Sequence, residues 1–294
     1  MKLDPNQLAA LAEVLRLGSF DGAAQALSVT PSAVSQRIKA LEDRVGAVLV
    51  RRGVPCTGTA MGLRLAKHSE DLALLESKLK RDLALDQHAG PVLLRVAVNA
   101  DSLATWFLAA MARVPGYLFD LVIDDQDHSA DWLRNGEVSA AICALPSAVS
   151  GCDSFDLGSL RYIATASPAY MADWFPDGVT PQALEHAPML TFDAKDALQQ
   201  RWLTRAVGAS LSPPTHFLPS SQAFVDAAKL GLGWGMNPVQ LVQQDLRDGQ
   251  LVELLPNTAL DVRLTWQVNR VVAPALKPLT ESVRRSAKAD LIQE

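Results

Sequence analysis

The stretch from Thr30 to Glu42, T-P-S-A-V-S-Q-R-I-K-A-L-E, constrains this chain more than any other. Thr30 is placed to cap the first free amides of a helix, and Pro31 follows at the first helical position, where a missing N–H costs nothing. Val34, Ile38 and Leu41 then recur at i, i+4 and i+7, an apolar stripe facing a core. Ser32, Ser35, Gln36 and Lys39 recur on the opposite side. That second face is small, polar and cationic. It carries short hydroxyls for close approach, an amide able to pair with adenine, and a cation for phosphate, which is what a helix lying in a DNA major groove needs.

Taken alone, such a helix would also suit any amphipathic surface position. The residues before it decide otherwise. Asp4, Pro5 and Gln7 form a capping-box start for a helix whose Leu8, Leu11, Ala12 and Leu15 make one apolar stripe, closed by Gly18. Ala23, Ala24, Ala26 and Leu27 give a short second helix with small side chains that allow close crossing. Helix, short helix, tight turn and polar-faced helix within about 40 residues is the helix-turn-helix arrangement. Val48 to Thr59 alternates β-branched residues around Gly53 and Pro55, as a two-stranded wing would, with Arg51 and Arg52 turned toward a phosphate backbone.

The net charge of −5 looks wrong for a DNA-binding chain until it is divided. Residues 1–90 carry 12 Lys and Arg against 10 Asp and Glu, a net of +2, so the remaining 15 against 22 give −7 to residues 91–294. The acidity belongs to a second domain, and the DNA argument rests on where the cations sit: Arg37, Lys39, Arg51 and Arg52. Between the two, Thr59 starts a long helix from Ala60 to about Gln87. Leu65, Leu72 and Leu79 repeat at seven with Leu75 between them, a seam that one copy of the chain would not bury by itself. A two-fold dimer would also double the base contacts of a single reading helix.

Gly90 and Pro91 mark the boundary. Beyond them Val92–Val98, Leu118–Ile123, Val138–Leu145, Arg161–Ala166, Met189–Phe192 and Leu264–Val272 read as strands. Amphipathic helices lie near Leu103–Met111, Ala130–Asn135, Gln222–Lys229 and Leu276–Lys288. This predicts an α/β domain with mostly parallel strands in two sheets, and a cleft where strand ends meet helix N-termini. The chain is long and apolar enough, at 49% hydrophobic residues, to bury two or more cores. No apolar run reaches the roughly 18 residues a membrane span needs, and no signal peptide opens the chain, so a cytoplasmic location is expected. Cys56, Cys143 and Cys152 lack metal-ligand spacing and read as buried or incidental thiols, a Cys143–Cys152 redox pair being the alternative.

In this order, the winged helix-turn-helix, long helix and two-part α/β domain resemble the LysR-type transcriptional regulators over essentially the whole chain. The specific residues are A-A-Q-A-L-S-V-T-P-S-A-V-S-Q-R-I-K-A-L-E (Ala23 to Glu42) and G-x-G-x-x-x-x-P (Gly231 to Pro238). N-A-D-S-L-A-T-W (Asn99 to Trp106) and P-S-S-Q-A-F (Pro219 to Phe224) are similar to the arginine- and lysine-responsive branch. Members of that branch control export of basic amino acids, and it takes in the chromosome replication initiation inhibitor family. The chain departs from the branch at Thr57, where a second wing arginine is usual, and at Gln222, where a glutamate is usual. The resemblance implies a winged helix-turn-helix over 1–59, a dimerising linker helix over 60–90 and a two-lobed, periplasmic-binding-protein-like effector domain over 91–294. Its lobes would be 91–163 with 267–294, and 164–266. It also implies no enzymatic activity, no cofactor, lysine or arginine as co-effector, promoter DNA and a second copy of the chain as partners in a homodimer or homotetramer, and RNA polymerase as the protein met at a promoter.

The resemblance places Thr30, Ser32, Ser35, Gln36, Arg37 and Arg52 at the DNA. Helical geometry independently favours Ser32, Ser35, Gln36 and Lys39 at the DNA and leaves Arg37 on the flank for phosphate. With Pro31 and Arg51, these make the expected contact set. For the effector, Asn99, Asp101 and Ser102 start a helix after a strand, and Ser220 and Ser221 start another, so their amides and hydroxyls suit an α-carboxylate. Asp101, Asp124, Asp125 and Asp193 lie at or beyond strand ends, where a carboxylate suits an ammonium or a guanidinium.

Two other classes compete. A hydrolase or transferase needs a nucleophile and a base, yet His68, His88, His128, His186 and His216 fall in no nucleophile turn or metal pair. Gly231, Gly233 and Gly235 follow a helix and end in Asn237-Pro238, which reads as a helix cap leading into a strand. A stand-alone amino-acid binding protein would explain residues 91–294 but would need an export signal and no DNA-binding head. A regulator of the same type answering to another small effector is the nearer alternative.

Overall fold

The computed structural model describes residues 2–85, 90–123, 129–144 and 147–293. Helices α1 (Pro5–Leu17), α2 (Phe20–Ala26) and α3 (Pro31–Val45) precede an antiparallel wing of β1 (Val50–Arg51) and β2 (Thr57–Gly58). Each helix starts on a side-chain oxygen that satisfies free amides: Asp4 accepts from Asn6 and Gln7, Ser19 from Gly22, and Thr30 from Ala33. The reciprocal half of the predicted capping box is missing, because the Gln7 side-chain oxygen accepts no hydrogen bond. Leu8, Leu11, Val14, Val34, Ile38, Leu41 and Leu49 close a core of their own between these helices and the wing.

Helix α4 (Ala60–Asp82) leaves the wing at once. Thr59 caps it by accepting from the Gly62 amide at 3.1 Å, while its own hydroxyl donates to the Val48 carbonyl at 2.9 Å. A Cβ at Gly62 would stand 2.1 Å from the Leu49 carbonyl oxygen, so only glycine lets the helix lie this close to the wing. The predicted leucine seam is divided rather than uniformly free. Leu65 and Leu72 pack against the head core and Leu75 against the core of the following domain, whereas Leu79 is exposed. Part of the seam is therefore buried within one chain, because α4 packs on α1 along one side and reaches β3 along another.

The second domain opens with β3 (Val92–Val98), then a helical run made of α5 (Ala100–Ser102), a π turn over Leu103–Phe107 and α6 (Leu108–Ala112). It continues through β4 (Tyr117–Ile123), α7 (Ser129–Arg134), β5 (Ala140–Cys143), β6 (Cys152–Ala166), α8 (Pro168–Trp174), α9 (Pro181–His186) and β7 (Met189–Thr191). Then come α10 (Leu198–Val207), β8 (Thr215–Phe217), α11 (Ser221–Lys229), β9 (Gly235–Pro238), α12 (Val239–Arg247), β10 (Val252–Glu253), β11 (Leu260–Asn269) and α13 (Lys277–Asp290).

The sheets differ from the mostly parallel pair expected. Seven strands form one sheet in the order β10-β6-β11-β5-β3-β4, with β9 also on β6; β7 and β8 make a separate parallel pair. Only β3 is parallel to its neighbours, β4 and β5. The remaining pairings are antiparallel because β6 and β11 form a long ribbon through the middle. The Cys152 end of β6 lies beside β11, and β9 and β10 add to the Ala166 end. The two lobes of this α/β domain thus share the seven-stranded sheet, with the β7–β8 pair lying apart from it. Strand β6 begins nine residues before the predicted Arg161, over the polar segment D-S-F-D. Its half-buried Asp153 and exposed Asp156 pair with Arg270, just after β11, and Arg263 of β11, so polarity here marks pairs across the ribbon and not a loop.

Candidate functional site

The polar face of α3 and the wing enclose an open groove of about 770 Å³ lined by Ser32, Ser35, Gln36, Lys39, Glu42, Asp43, Gly46, Ala47, Val48 and Arg52. Gln36 and Lys39 are exposed, while Val34 and Ile38 on the other face are buried. Thr30, Pro31, Arg37 and Arg51 stand outside this lining, Thr30 as the helix cap and Arg51 exposed on β1. Two features escaped sequence reading. Glu42 accepts from the amides of Leu49 at 2.7 Å and Val50 at 3.3 Å, which fixes the wing against the helix. The Arg52 guanidinium lies 5.1 Å from the Phe20 ring centre, so this cation is held in place by a stacking contact. Thr57 lies in β2, half of the wing.

A second, smaller cavity of about 40 Å³ lies within the α/β domain. Asn99 and Asp101 reach it from the end of β3 and the start of α5; Asp196, Leu198 and Gln199 from the start of α10; Ser221 and Phe224 from α11; and Met236 to Pro238 from β9. The Asp101 carboxylate accepts from the Ser221 hydroxyl at 2.6 Å and from the Tyr162 hydroxyl at 2.8 Å. Burial pushes its pKa up, partly offset by those two hydrogen bonds and reinforced by the negative charge of Asp196. Asp196 is also pushed up by burial, against the amides of Leu198 at 2.9 Å and Phe192 at 3.2 Å. Beside it the Gln199 side-chain oxygen is buried and accepts nothing. Two acidic groups and one open acceptor thus converge on a small space.

Of the residues singled out in the sequence, Asn99, Asp101 and Ser221 line this cavity. Ser102 is fully buried one position further on and outside the lining. Ser220 is exposed and caps α11 through the Ala223 amide. The Asp193 carboxylate turns back on its own loop, accepting from Lys195 at 2.7 Å and Asp196 at 3.1 Å. It presents Asp196 instead of facing the cavity itself. Asp124 and Asp125 lie outside the described residues, as do His88 and His128.

The glycine stretch is no phosphate cradle. Gly231, at φ 78°, ends the turn after α11, and a Cβ at Gly235 would strike the Phe224 ring at 2.5 Å. Cys143 and Cys152 are buried free thiols, and burial pushes Cys143 up to about 12. That value keeps it a protonated, unreactive core group. Among the described residues no helix is long and apolar enough to cross a membrane.

Residues 5–63 match the bacterial regulatory helix-turn-helix proteins of the lysR family, and residues 92–288 match the LysR substrate binding domain. The chain belongs to the LysR family of transcriptional regulators. It is 42% identical over 286 residues to the HTH-type transcriptional regulator LysG of Mycobacterium tuberculosis, covering 97% of this chain and 94% of that protein. The crystal structure of ArgP from Mycobacterium tuberculosis superposes with a TM-score of 0.83 at 41% identity, covering all of both chains. Full-length LysG from Corynebacterium glutamicum with bound effector Arg superposes at 0.69 and 34% identity, covering 99% and 100%.

In this LysR-type regulator the sequence signal for the missed acid, Asp196, lies in D-A-L-Q-Q. An aspartate two residues before a helix, able to accept from its first amides, marks a helix start as clearly as Thr30 does.

Proposed function

We propose that this LysR-type regulator senses lysine or arginine in the cavity between β3, α10 and α11 and controls a gene for export of basic amino acids. The observation that carries the reading is the presence of Asp101 and Asp196 in the lining of one small cavity, with the Gln199 oxygen beside them. A buried carboxylate is costly unless a cation meets it, and two of them suit a ligand with cationic groups at both ends. The bound arginine of the Corynebacterium relative supports the same ligand class. A cavity of about 40 Å³ holds roughly three waters, so an amino acid enters only as the walls part and a hydroxyl leaves Asp101. Ligand then favours whichever arrangement of the lobes it binds more tightly.

On the DNA side, Ser32, Ser35 and Gln36 read base edges, while Thr30, Pro31, Arg37, Lys39, Arg51 and Arg52 hold the backbone. Two heads act together in a homodimer or homotetramer. Exposed Met61, Leu79 and Leu83 continue the line of Leu65, Leu72 and Leu75 along α4, which supports pairing of two linker helices. The protein works in the cytoplasm, where promoter DNA and RNA polymerase are met.

Calorimetric titration of the full chain with lysine, arginine and leucine tests the effector reading. Heat with a basic amino acid and none with leucine is expected; no heat with either basic amino acid would sink it while leaving DNA binding untouched.

A further inference from the structure

The linker helix meets the effector domain through a buried cation. Lys67 is the single charged side chain of α4 among its buried residues, with 7% of its side chain exposed. Its ammonium pairs with Asp71, four residues on, and donates to the Ser139 hydroxyl at 2.8 Å. Ser139 is itself fixed. Its amide donates to the Arg95 carbonyl of β3 at 3.0 Å, and its carbonyl accepts from the amide of Asn269, the last residue of β11, at 2.9 Å. The Lys67 contact therefore lands where β3, β5 and β11 come together.

The surroundings bring in the DNA-binding head. Arg16 of α1, Lys67 and Glu70 of α4, Arg95 of β3, Asp120 of β4 and Glu137 before β5 line a cavity of about 150 Å³. Arg16 pairs with Glu13 within the head and Arg95 with Asp120 within the domain, leaving Lys67 to Ser139 as a direct side-chain bond from the linker to the sheet. A leucine at 67 would bury more cheaply than an ammonium. What the ion adds is direction: the bond forms in one arrangement of helix on sheet and is lost in others. The adjoining cavity means that this junction is not packed solid, which leaves room for a second arrangement.

We propose that Lys67 is a positioning residue: its bond to Ser139 sets the angle of the linker helix, and with it the DNA-binding head, on the effector domain, and this bond carries the effector signal. The second half of the statement rests on the cleft reading above; the first does not. Movement of the ribbon formed by β6 and β11 reaches Asn269, from there Ser139, and from there Lys67. The coupling runs through contacts that two arrangements would make differently.

The test uses the full-length chain with Lys67→Met, Ser139→Ala and the hydroxyl-retaining Ser139→Thr. Arginine affinity by calorimetry is expected to stay within about threefold of the unmodified protein in all three. The arginine-dependent change in promoter affinity or footprint should fall at least fivefold in Lys67→Met and Ser139→Ala and persist in Ser139→Thr. A merely structural role would weaken binding and response together. Should Lys67→Met fail to fold, Ser139→Ala still decides the matter.

A second readout needs no effector. Spin labels at Gln25→Cys in the head and Glu281→Cys on α13, in a Cys56→Ser background, should give a broader or shifted distance distribution in Ser139→Ala. Unchanged distances would overturn the positioning role. A full arginine response in both Lys67→Met and Ser139→Ala would overturn the signalling role. Absence of any arginine binding in the unmodified chain would instead count against the cleft reading, with the label distances still deciding the junction.

Discussion

The groove proposed to face DNA and the cavity proposed to hold the effector would be opposite solutions to recognition. In the groove, Gln36, Lys39 and Arg52 are exposed on an already formed head with its own core, so the surface meets its partner as it stands. In the cavity, Asp101 is already satisfied by Ser221 and Tyr162, and the space is too small for an amino acid. On that proposal one region is ready to bind, and the other would first have to break its own bonds, a requirement that would let binding there change a conformation.

The sharpest way to break the comparison is to unfold one region alone. Ile38 is buried in the head core, so Ile38→Ala should cost about 2–5 kcal/mol of head stability and abolish promoter binding in a gel shift. Arginine binding by calorimetry should survive; its loss would mean that the two regions do not fold as separate cores.

Next in size is Asp196→Asn. Removing one charge from the cavity should weaken arginine by about 1.5–3 kcal/mol, roughly ten- to a hundredfold, with promoter affinity unchanged. The same region predicts a pH dependence. Asp101 and Asp196 have folded-state pKa values raised above their ordinary ones. Between the ordinary carboxylate range and the raised values the folded chain holds more protons than the unfolded one, so their contribution to stability falls as pH rises through that window. A cationic ligand needs the ionised forms. Arginine affinity should therefore climb with pH across the window and level off above it, and Asp196→Asn should flatten the climb.

Within the groove, Gln36→Ala should relax preference at one base pair by about 1–3 kcal/mol, while Lys39→Ala should weaken all sequences alike and lower the salt slope by about one. A binding-site selection with a salt titration separates the two; equal behaviour would erase the division between base reading and backbone contact. The smallest effect belongs to Thr30→Ala, which loses the cap on α3 and about 1 kcal/mol of stability by thermal melting.

How far each region could be read from the sequence follows from how it is assembled. The cap, the proline, the apolar stripe and the polar stripe of α3 all fall between Thr30 and Glu42, so local periodicity suffices. The cavity draws on β3, α10, α11 and β9, with 120 residues between Asp101 and Ser221. Asn99, Asp101 and Ser221, which line it, stand at helix starts, a position that the sequence makes visible. Asp193 and Asp196 sit in one loop and both accept from its backbone amides, so only the folded arrangement shows that Asp196 is the one lining the cavity. Helices α8 and α9 were overlooked although Ser167-Pro168 and Thr180-Pro181 repeat the Thr30-Pro31 signal. The ribbon of β6 and β11 was hidden for a different reason: its aspartates and arginines make sense only once the two strands are side by side.

That ribbon has one more implication. Because β6 and β11 run through both lobes, the seven-stranded sheet is divided between them. Expressed as separate fragments, each would expose an unpaired strand edge and be prone to aggregate. A biosensor built from this protein would keep the effector domain whole and place its reporter on the helical surface, away from the strands the lobes have in common.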